Sequence, residues 1–286
     1  MTGQGPSSES NTSAWATLRR DPKFTVCVLV LVALASIAVS PEWFGADPTA
    51  PCSLSQSLHS PTVAHPFGFD IQGCDYYSRT LLGARASLVV GLVVMASAMG
   101  IGLLLGAVGG YYEGILDAVL ARAADLFFAV PLVLGGAVVL ALSPGQGVLK
   151  VAGVLGALSW PPMLRLVRAS VLSTKRLDYV LAARALGAGD ARILMRHVLP
   201  TAVWPLVLYG TAFAGFAISA EALLSFLGVG LQLPAVSWGL QLAAVDYRVL
   251  EAPHLLIPAV FLTAAVAAFV VLGESLRAAA NPRMRR

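Results

Sequence analysis

The sequence predicts an all-α, polytopic membrane protein that crosses a lipid bilayer about six times. Of its 286 residues, 57% are hydrophobic and only 12% carry charge, a balance outside the range of ordinary soluble domains. Several charge-free runs of about 20 residues occur, and a helix of that length spans a hydrocarbon core about 30 Å thick. The net charge of +4 is typical of basic cytoplasmic loops in such proteins. We therefore expect a lipid bilayer, and no nucleic acid, as a partner.

The chain is expected to begin with a cytoplasmic tail at 1–23, largely disordered because it opens on a polar stretch rich in Ser and Thr. Three basic residues, Arg19, Arg20 and Lys23, then precede the first predicted span, at about 24–40. A secretory signal peptide starts in a similar way. However, no A-x-A-like cleavage site follows and further spans come later, so we interpret the run as an uncleaved span.

Five further spans complete the predicted transmembrane domain at 24–275, at about 87–109, 120–142, 150–168, 201–227 and 253–273. In the second span glycine recurs at every fourth residue, which lets a neighbouring helix approach closely, at Gly102, Gly106 and Gly110. Pro131 lies in the middle of the third span. The fourth has the shortest charge-free core, and it is interrupted by Trp160, Pro161 and Pro162.

Basic residues predict the orientation of these spans. With six spans and both termini in the cytoplasm, only four of the 19 Lys and Arg residues lie outside, namely Arg79, Arg85, Lys150 and Arg248. Because basic residues concentrate in cytoplasmic loops, we predict an N-in and C-in topology. It places an extracytoplasmic loop at 41–85, a cytoplasmic loop at 171–199 and a cytoplasmic tail at 276–286.

The three cysteines and four histidines form no CxxC motif and no metal-ligand cluster, so we predict no metal site. Cys27 lies in the first span. Cys52 and Cys74 share the predicted external loop, where oxidation is favoured. A bridge between them would stabilise the protein by about 3 kcal/mol in the chain-entropy model. Two free thiols are equally compatible with the sequence.

The cytoplasmic loop is about thirty residues long, too long for a simple connector. It contains a helical segment at about 177–186, then Gly187 and Gly189, then a second helical segment predicted to stop at Pro200. Leu177, Val180 and Leu181 fall on one face of the first segment. Such an amphipathic helix either lies on the membrane or seats in a groove of a partner protein, and periodicity does not choose between them.

Within this loop, AARALGAGDARILMRHVLP resembles the EAA loop of ABC importer permeases, in which E-A-A precedes a glycine and a terminal I-x-L-P. Five positions match, namely Ala182, Ala183, Gly187, Leu199 and Pro200, whereas Leu181 replaces the Glu and His197 the Ile. The context DYVLAARALGA is similar to the dipeptide, oligopeptide and nickel branch. So are HPFGFDIQGCDYYSRTLLGARASLVVG, in which Cys74 replaces the usual Arg, EALLSFLGVGLQLPAVSWG and the LRAAANPR ending. The chain thus resembles the second, "C"-type permease of that branch.

The resemblance implies the type I permease fold and an importer of di- or oligopeptides in the bacterial cytoplasmic membrane. It implies as partners a second homologous permease, two ABC ATPase subunits and an extracytoplasmic solute-binding protein. It assigns ATPase coupling to the loop residues Asp178, Tyr179, Ala182, Ala183, Arg184, Leu186, Gly187, Ala188, Leu199 and Pro200. None of the three lysines follows a glycine, so the phosphate-binding motif G-x-x-x-x-G-K-[ST] is absent. We therefore expect no catalytic residue and no bound cofactor in this chain, with ATP and Mg²⁺ on the ATPase subunits.

Several residues admit two interpretations. Glu221 lies in the fifth span, where an ionised carboxylate is costly, so it is either paired structurally near the outer end or lines the pathway and contacts substrate amines. Arg122 and Asp125 form an i,i+3 pair or take part in gating. The loop with Pro234, Trp238 and Gly239 caps the pathway or touches the binding protein, unless Trp238 is an interfacial anchor.

Other functions stay open on the sequence alone. The same machinery in this branch also imports nickel chelates or haem, and other permeases of the superfamily carry sugars, amino acids or phosphate. A secondary carrier would typically show an internal repeat and ionisable residues near the bilayer midplane. We find no repeat, and Glu221 is the one clear acidic candidate in the sequence. A membrane scaffold is the non-transport alternative.

Overall fold

Helices account for nearly all regular structure in the part of the chain that the computed structural model describes, residues 18, 19, 21–143, 145, 147–245 and 250–280. Most of the predicted tail at 1–23, the end of the tail at 276–286 and Arg248 lie outside the described residues. In chain order the helices are α1 (Pro22–Val39), α2 (Tyr76–Tyr112), α3 (Gly114–Ala129), α4 (Leu132–Ala141), α5 (Val148–Leu158), α6 (Trp160–Thr174), α7 (Asp178–Ala185), α8 (Asp190–Ile193), α9 (Leu199–Phe226), α10 (Trp238–Ala243) and α11 (Ile257–Ala280).

Four helical stretches are long and apolar enough to cross a membrane, namely 22–39, 76–112, 190–226 and 253–280. They contain the first, second, fifth and sixth predicted spans almost completely. The second is longer than predicted, because α2 begins at Tyr76 and residues 76–85 of the expected external loop are helical. The cause is an N-terminal cap, since the Asp75 carboxylate accepts a hydrogen bond from the backbone N–H of Ser78 at 2.9 Å.

The third and fourth predicted spans are each divided in two. Helices α3 and α4 meet at a bend of 82°, so 120–142 is not one straight helix. Pro131 lies in the break, where its missing N–H and its ring prevent a continuous helix. Helix α5 has 11 residues, and Ser159 separates it from α6, which opens on Trp160 and two prolines. Six crossings therefore remain a prediction that counts each divided pair as one span.

Helix α2 is the central element, and its glycine stripe (Gly102, Gly106 and Gly110) packs directly on α6. A Cβ atom at Gly102 would lie 2.3 Å from the Met163 Cβ, and one at Gly106 would lie 2.7 Å from the Leu164 carbonyl oxygen. Side chains at these positions would hold the two helices apart. The prediction that the stripe admits a close neighbour is therefore confirmed.

The beginning of α1 and the end of α11 lie side by side. The Ser275 hydroxyl donates a hydrogen bond to the Asp21 carboxylate at 3.2 Å. At the opposite end of α1, the Arg85 side chain donates to the carbonyls of Ala38 and Val39 at 2.8 Å each. Carbonyls in the last turn of a helix lack partners within it, so Arg85 satisfies these two. Helix α1 thus begins, and α11 ends, at the same end of the bundle.

The loop before α2 is folded. A disulfide joins Cys52 to Cys74, whereas Cys27 is a free, buried thiol. Asp70 accepts a hydrogen bond from Arg79 at 2.7 Å and another from the Cys74 backbone N–H at 2.9 Å. Gly73 has a φ of +70°, and a Cβ there would lie 1.7 Å from the Ser53 carbonyl oxygen. The loop is therefore held to the first turn of α2.

We expect Gly106→Leu to destabilise the protein by about 1–3 kcal/mol, because the new side chain must separate α2 from α6. Gly100→Leu is the matched control, since Gly100 lies on the same helix, is exposed and would have no neighbouring atom within 4 Å of an added Cβ. Thermal unfolding in detergent measures both. Equal unfolding temperatures for the two variants would contradict the packing that we describe.

The disulfide predicts how many thiols react in the purified protein. After denaturation without reductant, an alkylating reagent should modify Cys27 alone, and after reduction it should modify all three cysteines. Mass spectrometry gives the count, and Cys27→Ala provides the control with no reactive thiol before reduction. Alkylation of Cys52 or Cys74 without reductant would show that the bridge is absent.

Candidate functional site

Helix α7 exposes more apolar surface than it buries against the rest of this chain. Val180 is completely buried in the main core, but Leu181 is 48% exposed and Leu186, just after the helix, is 88% exposed. Leu177 and Tyr179 are also about half-exposed. The predicted helix thus exists, but its predicted apolar face is divided, since Val180 is buried whereas Leu177 and Leu181 are half-exposed. Exposed apolar patches of this kind mark contact sites for proteins or membranes.

Polar contacts hold α7 against its neighbours. The Tyr179 hydroxyl donates to the His197 carbonyl at 3.1 Å and lies 3.3 Å from the Thr201 hydroxyl. At the other end of α7, Arg184 donates to the Tyr111 hydroxyl at 3.2 Å, and that hydroxyl donates to the Asp190 carboxylate at 2.7 Å. Helix α7 is therefore tied to α8, to the start of α9 and to the end of α2.

The predicted coupling residues lie in one helix–turn–helix. Asp178, Tyr179, Ala182, Ala183 and Arg184 belong to α7, Leu186, Gly187 and Ala188 form the turn, and Leu199 and Pro200 begin α9. Gly187 has a φ of +80°, the left-handed conformation that terminates many helices. The role of these residues in ATPase coupling stays a prediction.

The prediction that the second helical segment stops at Pro200 is wrong. Helix α8 continues through a turn of π-helix, Leu194–Val198, directly into α9. The Leu199 backbone N–H bonds to the Leu194 carbonyl, five residues back, in the wider π pattern. Pro200, which has no backbone N–H to donate, directly follows this π turn, where the regular α-helical hydrogen-bond ladder is already interrupted.

Glu221 is completely buried, and its partners are hydroxyl groups. Its carboxylate accepts hydrogen bonds from Ser225 at 2.7 Å and Ser237 at 2.9 Å, and lies 3.5 Å from the Ser87 hydroxyl. Ser87 in turn accepts from the backbone N–H of Trp238 at 3.2 Å. The carboxylate thereby joins α9, α2 and the segment that leads into α10. Of the two interpretations of Glu221, the structure shows the structural pairing, and the partners are three serines that the sequence did not identify.

Trp238 is buried as well, so its interpretation as an interfacial anchor is wrong. Its indole N–H donates to the Thr80 carbonyl at 3.0 Å, and its ring packs near Phe261. Gly239 packs on the backbone of α9, where a Cβ would lie 2.4 Å from the Ala222 Cα. The segment between α9 and α10 is therefore folded into the bundle.

A cavity of about 930 Å³ lies at the bend between α3 and α4. Aromatic and aliphatic residues of α3, α4, α6 and α9 line it, among them Phe127, Phe128, Pro131, Tyr209, Phe213 and Phe216. None of the described residues that line it is charged, and Glu221 is not among them. The cavity offers apolar surface and a few hydroxyl groups to a bound molecule.

Close to this cavity, Arg122 lies 3.8 Å from Asp125, as the i,i+3 spacing predicts. Arg122 is 87% exposed, and Asp125 makes a shorter contact of 2.6 Å with Arg165. The second contact links two helices, which spacing along one helix could not reveal. The structure therefore favours Arg165 over Arg122 as the partner of Asp125.

These features define a multi-helix membrane protein with an apolar cavity at one face and a short exposed helix at one end. Residues 98–286 match the family described as "Binding-protein-dependent transport system inner membrane component". The match covers more than half of the chain, so the protein belongs to this family. It is a multi-pass inner-membrane permease subunit of an ABC importer. Membership implies an ATPase and a solute-binding protein as partners.

Curated relatives are similar in sequence to this protein over most of its length. The glutathione transport system permease protein GsiD of Pectobacterium atrosepticum is 40% identical over 79% of this chain and 75% of its own length. The dipeptide transport system permease protein DppC of Bacillus subtilis is 33% identical over 98% of this chain and 88% of its own. GsiD of Escherichia coli is 35% identical over 95% of this chain and 90% of its own length.

The serine partners of Glu221 lead to a stability prediction. Glu221→Ala should lower the free energy of unfolding by about 1–3 kcal/mol, because buried hydroxyls lose their acceptor. Glu221→Gln should cost less, since the amide oxygen still accepts and the amide N–H₂ can donate to Ser87. Thermal unfolding in detergent measures both effects, with the exposed Glu274→Ala as control. A pathway role predicts the opposite pattern, namely lost transport and unchanged unfolding in Glu221→Gln.

Proposed function

We propose that this permease subunit imports di- or oligopeptides, and that separate ATPase subunits drive it by docking on α7. The observation that carries the docking is the exposed apolar surface of α7 and its caps, where Leu177 and Leu181 lie one turn apart and Leu186 directly follows the helix. The peptide cargo is supported by relatives that are named for dipeptide and glutathione transport. Glutathione is itself a tripeptide, so both names describe short peptides.

A protein partner suits α7 better than a membrane surface does. The helix is only eight residues long, and it is clamped at both ends by Tyr179 and Arg184 to the ends of long helices. A clamped helix transmits a displacement to the elements that hold it, whereas a helix that only anchors in lipid needs no such contacts. The nucleotide site must lie on the partner, since this chain has no G-x-x-x-x-G-K-[ST] motif.

The orientation that we propose places α7 in the cytoplasm, where ATP is available. Both termini then lie inside, which agrees with the contact between Ser275 and Asp21 at the common end of α1 and α11. The loop closed by Cys52 and Cys74 lies outside, on the side of the solute-binding protein. An oxidising exterior is compatible with that bridge.

The assembly that we propose contains this permease, a second homologous permease, two ATPase subunits and one external binding protein. The cavity at the α3–α4 bend has exposed apolar residues at its rim, including Leu126, Leu134 and Val138. These suit the cargo pathway at the contact with the second permease. ATP-driven closure of the ATPases displaces α7, and rigid helices convert this displacement into opening toward the outside, as in other rigid-body switches.

Leu181→Lys should reduce coupling, because it places a charge in the apolar surface on which the ATPase docks, and this charge is opposite in sign to the Glu of the E-A-A pattern. We expect uptake of a labelled dipeptide by the complete complex to fall at least about tenfold, the loss of about 1.4 kcal/mol of coupling free energy. Gly187→Val should act similarly, since a β-branched residue resists the φ of +80°. Ala183, partly buried beside the anchored face, is the third position, and a bulky Ala183→Trp should also uncouple.

Leu181→Met is the matched control, because it keeps an apolar side chain of similar volume. Membrane insertion and the ATPase rate should be measured with uptake, since uncoupling leaves the protein inserted and hydrolysis intact. Normal uptake in Leu181→Lys would exclude α7 as the docking site. Failure of the unmodified complex to take up any short peptide would exclude the peptide cargo while leaving the docking intact.

A further inference from the structure

Three basic side chains in and just after α6 face three acidic side chains at the start of and along α3. The pairs, which we call the charge ladder, are Arg165 with Asp125 at 2.6 Å, Arg168 with Asp117, and Lys175 with Glu113. The Arg168 guanidinium donates through two nitrogens to both oxygens of Asp117, a bidentate geometry with defined direction. A hydrogen bond from the Lys175 ammonium lowers the pKa of Glu113.

The basic and acidic residues of the ladder are spaced so that the three pairs form in order along both helices. Its basic residues are separated by three and seven positions, and its acidic residues by four and eight, so each set falls on one helix face. The first basic residue pairs with the last acidic one, as two antiparallel helices require. A single exposed ion pair contributes little, but three pairs in register define the position of one helix along the other.

Helix α3 also packs on its neighbours through one small apolar cluster. Ala124, the one buried residue of α3, lies in this cluster with Trp160 and Leu164 of α6, whereas Leu116, Val119 and Leu126 are exposed. Helix α6 is more firmly held, because it packs on α2 through the glycine stripe, where a Cβ at Gly110 would lie 3.0 Å from the Arg168 carbonyl oxygen. The ladder and the apolar cluster together position α3 on α6.

The two ends of the ladder lie at the two functional regions. Lys175 stands just before α7, and its ammonium also donates to the carbonyls of Gly110 and Tyr111 at the end of α2, at 3.2 and 3.3 Å. At the other end, the Arg165 guanidinium lies 4.2 Å from the ring centroid of Phe128, which lines the large cavity. The ladder thus runs from the docking helix to the cavity wall.

We propose that the charge ladder transmits the displacement of α7 to the bent α3–α4 pair, and that Arg168 and Asp117 are its main positioning residues. Asp117 is the most shielded carboxylate of the ladder, with its side chain 13% exposed, against 51% for Asp125 and 50% for Glu113. The inference rests on the proposed docking of the ATPase on α7. None of these residues contacts cargo in the proposal, and their role is to keep α3 in register with α6.

The test is a charge exchange in the complete complex. Asp117→Arg and Arg168→Asp should each reduce peptide uptake per ATP hydrolysed by about fivefold to tenfold, within the range that coupling residues show. The double variant Asp117→Arg with Arg168→Asp restores an opposite-charge pair and should recover most of the loss. Arg277→Gln is the control, since it removes one exposed basic charge from a different helix, α11.

Recovery in the double variant separates a specific pair from a general need for either charge. Single variants that couple normally, or a double variant no better than the singles, would overturn the proposal. If a reversed single variant does not insert, Asp117→Asn takes its place, because it keeps the shape and removes the charge. If the Asp117→Asn complex assembles completely and couples normally, the proposal that the ladder transmits the displacement is overturned.

A cross-link distinguishes failure of the ladder from failure of the docking. With Leu181→Cys in each background, a reagent that carries one thiol-reactive group and one photo-activated group should join α7 to an ATPase subunit in both coupled and uncoupled variants. A cross-link that persists while uptake per ATP falls supports the ladder. A cross-link that is absent in the otherwise unmodified permease would exclude the docking itself.

Discussion

The close contact between α2 and α6 is the constraint on which the other features depend. In lipid, apolar side chains gain nothing from leaving water, so two helices associate through contact area and close backbone approach. The stripe of Gly102, Gly106 and Gly110 provides that approach, and it brings the backbone at Leu164 and Arg168 directly onto α2. Helix α6 is thereby placed to present its basic face to α3 and to lead into α7. The cavity wall and α7 are both positioned from this one contact.

Buried polar groups stabilise the opposite end of the bundle. Glu221 would be costly in an apolar interior, and three serine hydroxyls from α2, α9 and the following segment surround it. Trp238 and Gln241 extend the set, since they donate to the carbonyls of Thr80 and Arg79 at 3.0 Å each. These bonds hold the segment between α9 and α10 inside the bundle. One end of the bundle is thus fixed by directional hydrogen bonds and the other by ion pairs.

This division suits a permease that switches between two arrangements. Tight helix packing does not deform continuously, so a force on one helix moves a whole block. Helices α2 and α6 form such a block, whereas α3 is joined to α6 by charge pairs and one small apolar cluster and bends by 82° into α4 beside the cavity. Ion pairs with partly exposed members are weaker and easier to rearrange than packed glycine contacts. The contacts of α3 with α6 are therefore easier to rearrange than those of α2 with α6.

The sequence by itself determined the membrane class, the long helices, the glycine stripe, the family and the existence of α7, because apolar length, residue spacing and motif are local properties of a chain. Local patterns also placed Glu221 in an apolar helix, but not its partners, since Ser87 and Ser237 come from segments far away in sequence. Only the tertiary structure decided that Asp125 pairs with Arg165, that Trp238 is buried and that the helix continues through Pro200. Each depends on contacts between distant segments or on backbone geometry, and spacing along one helix carries no information about either.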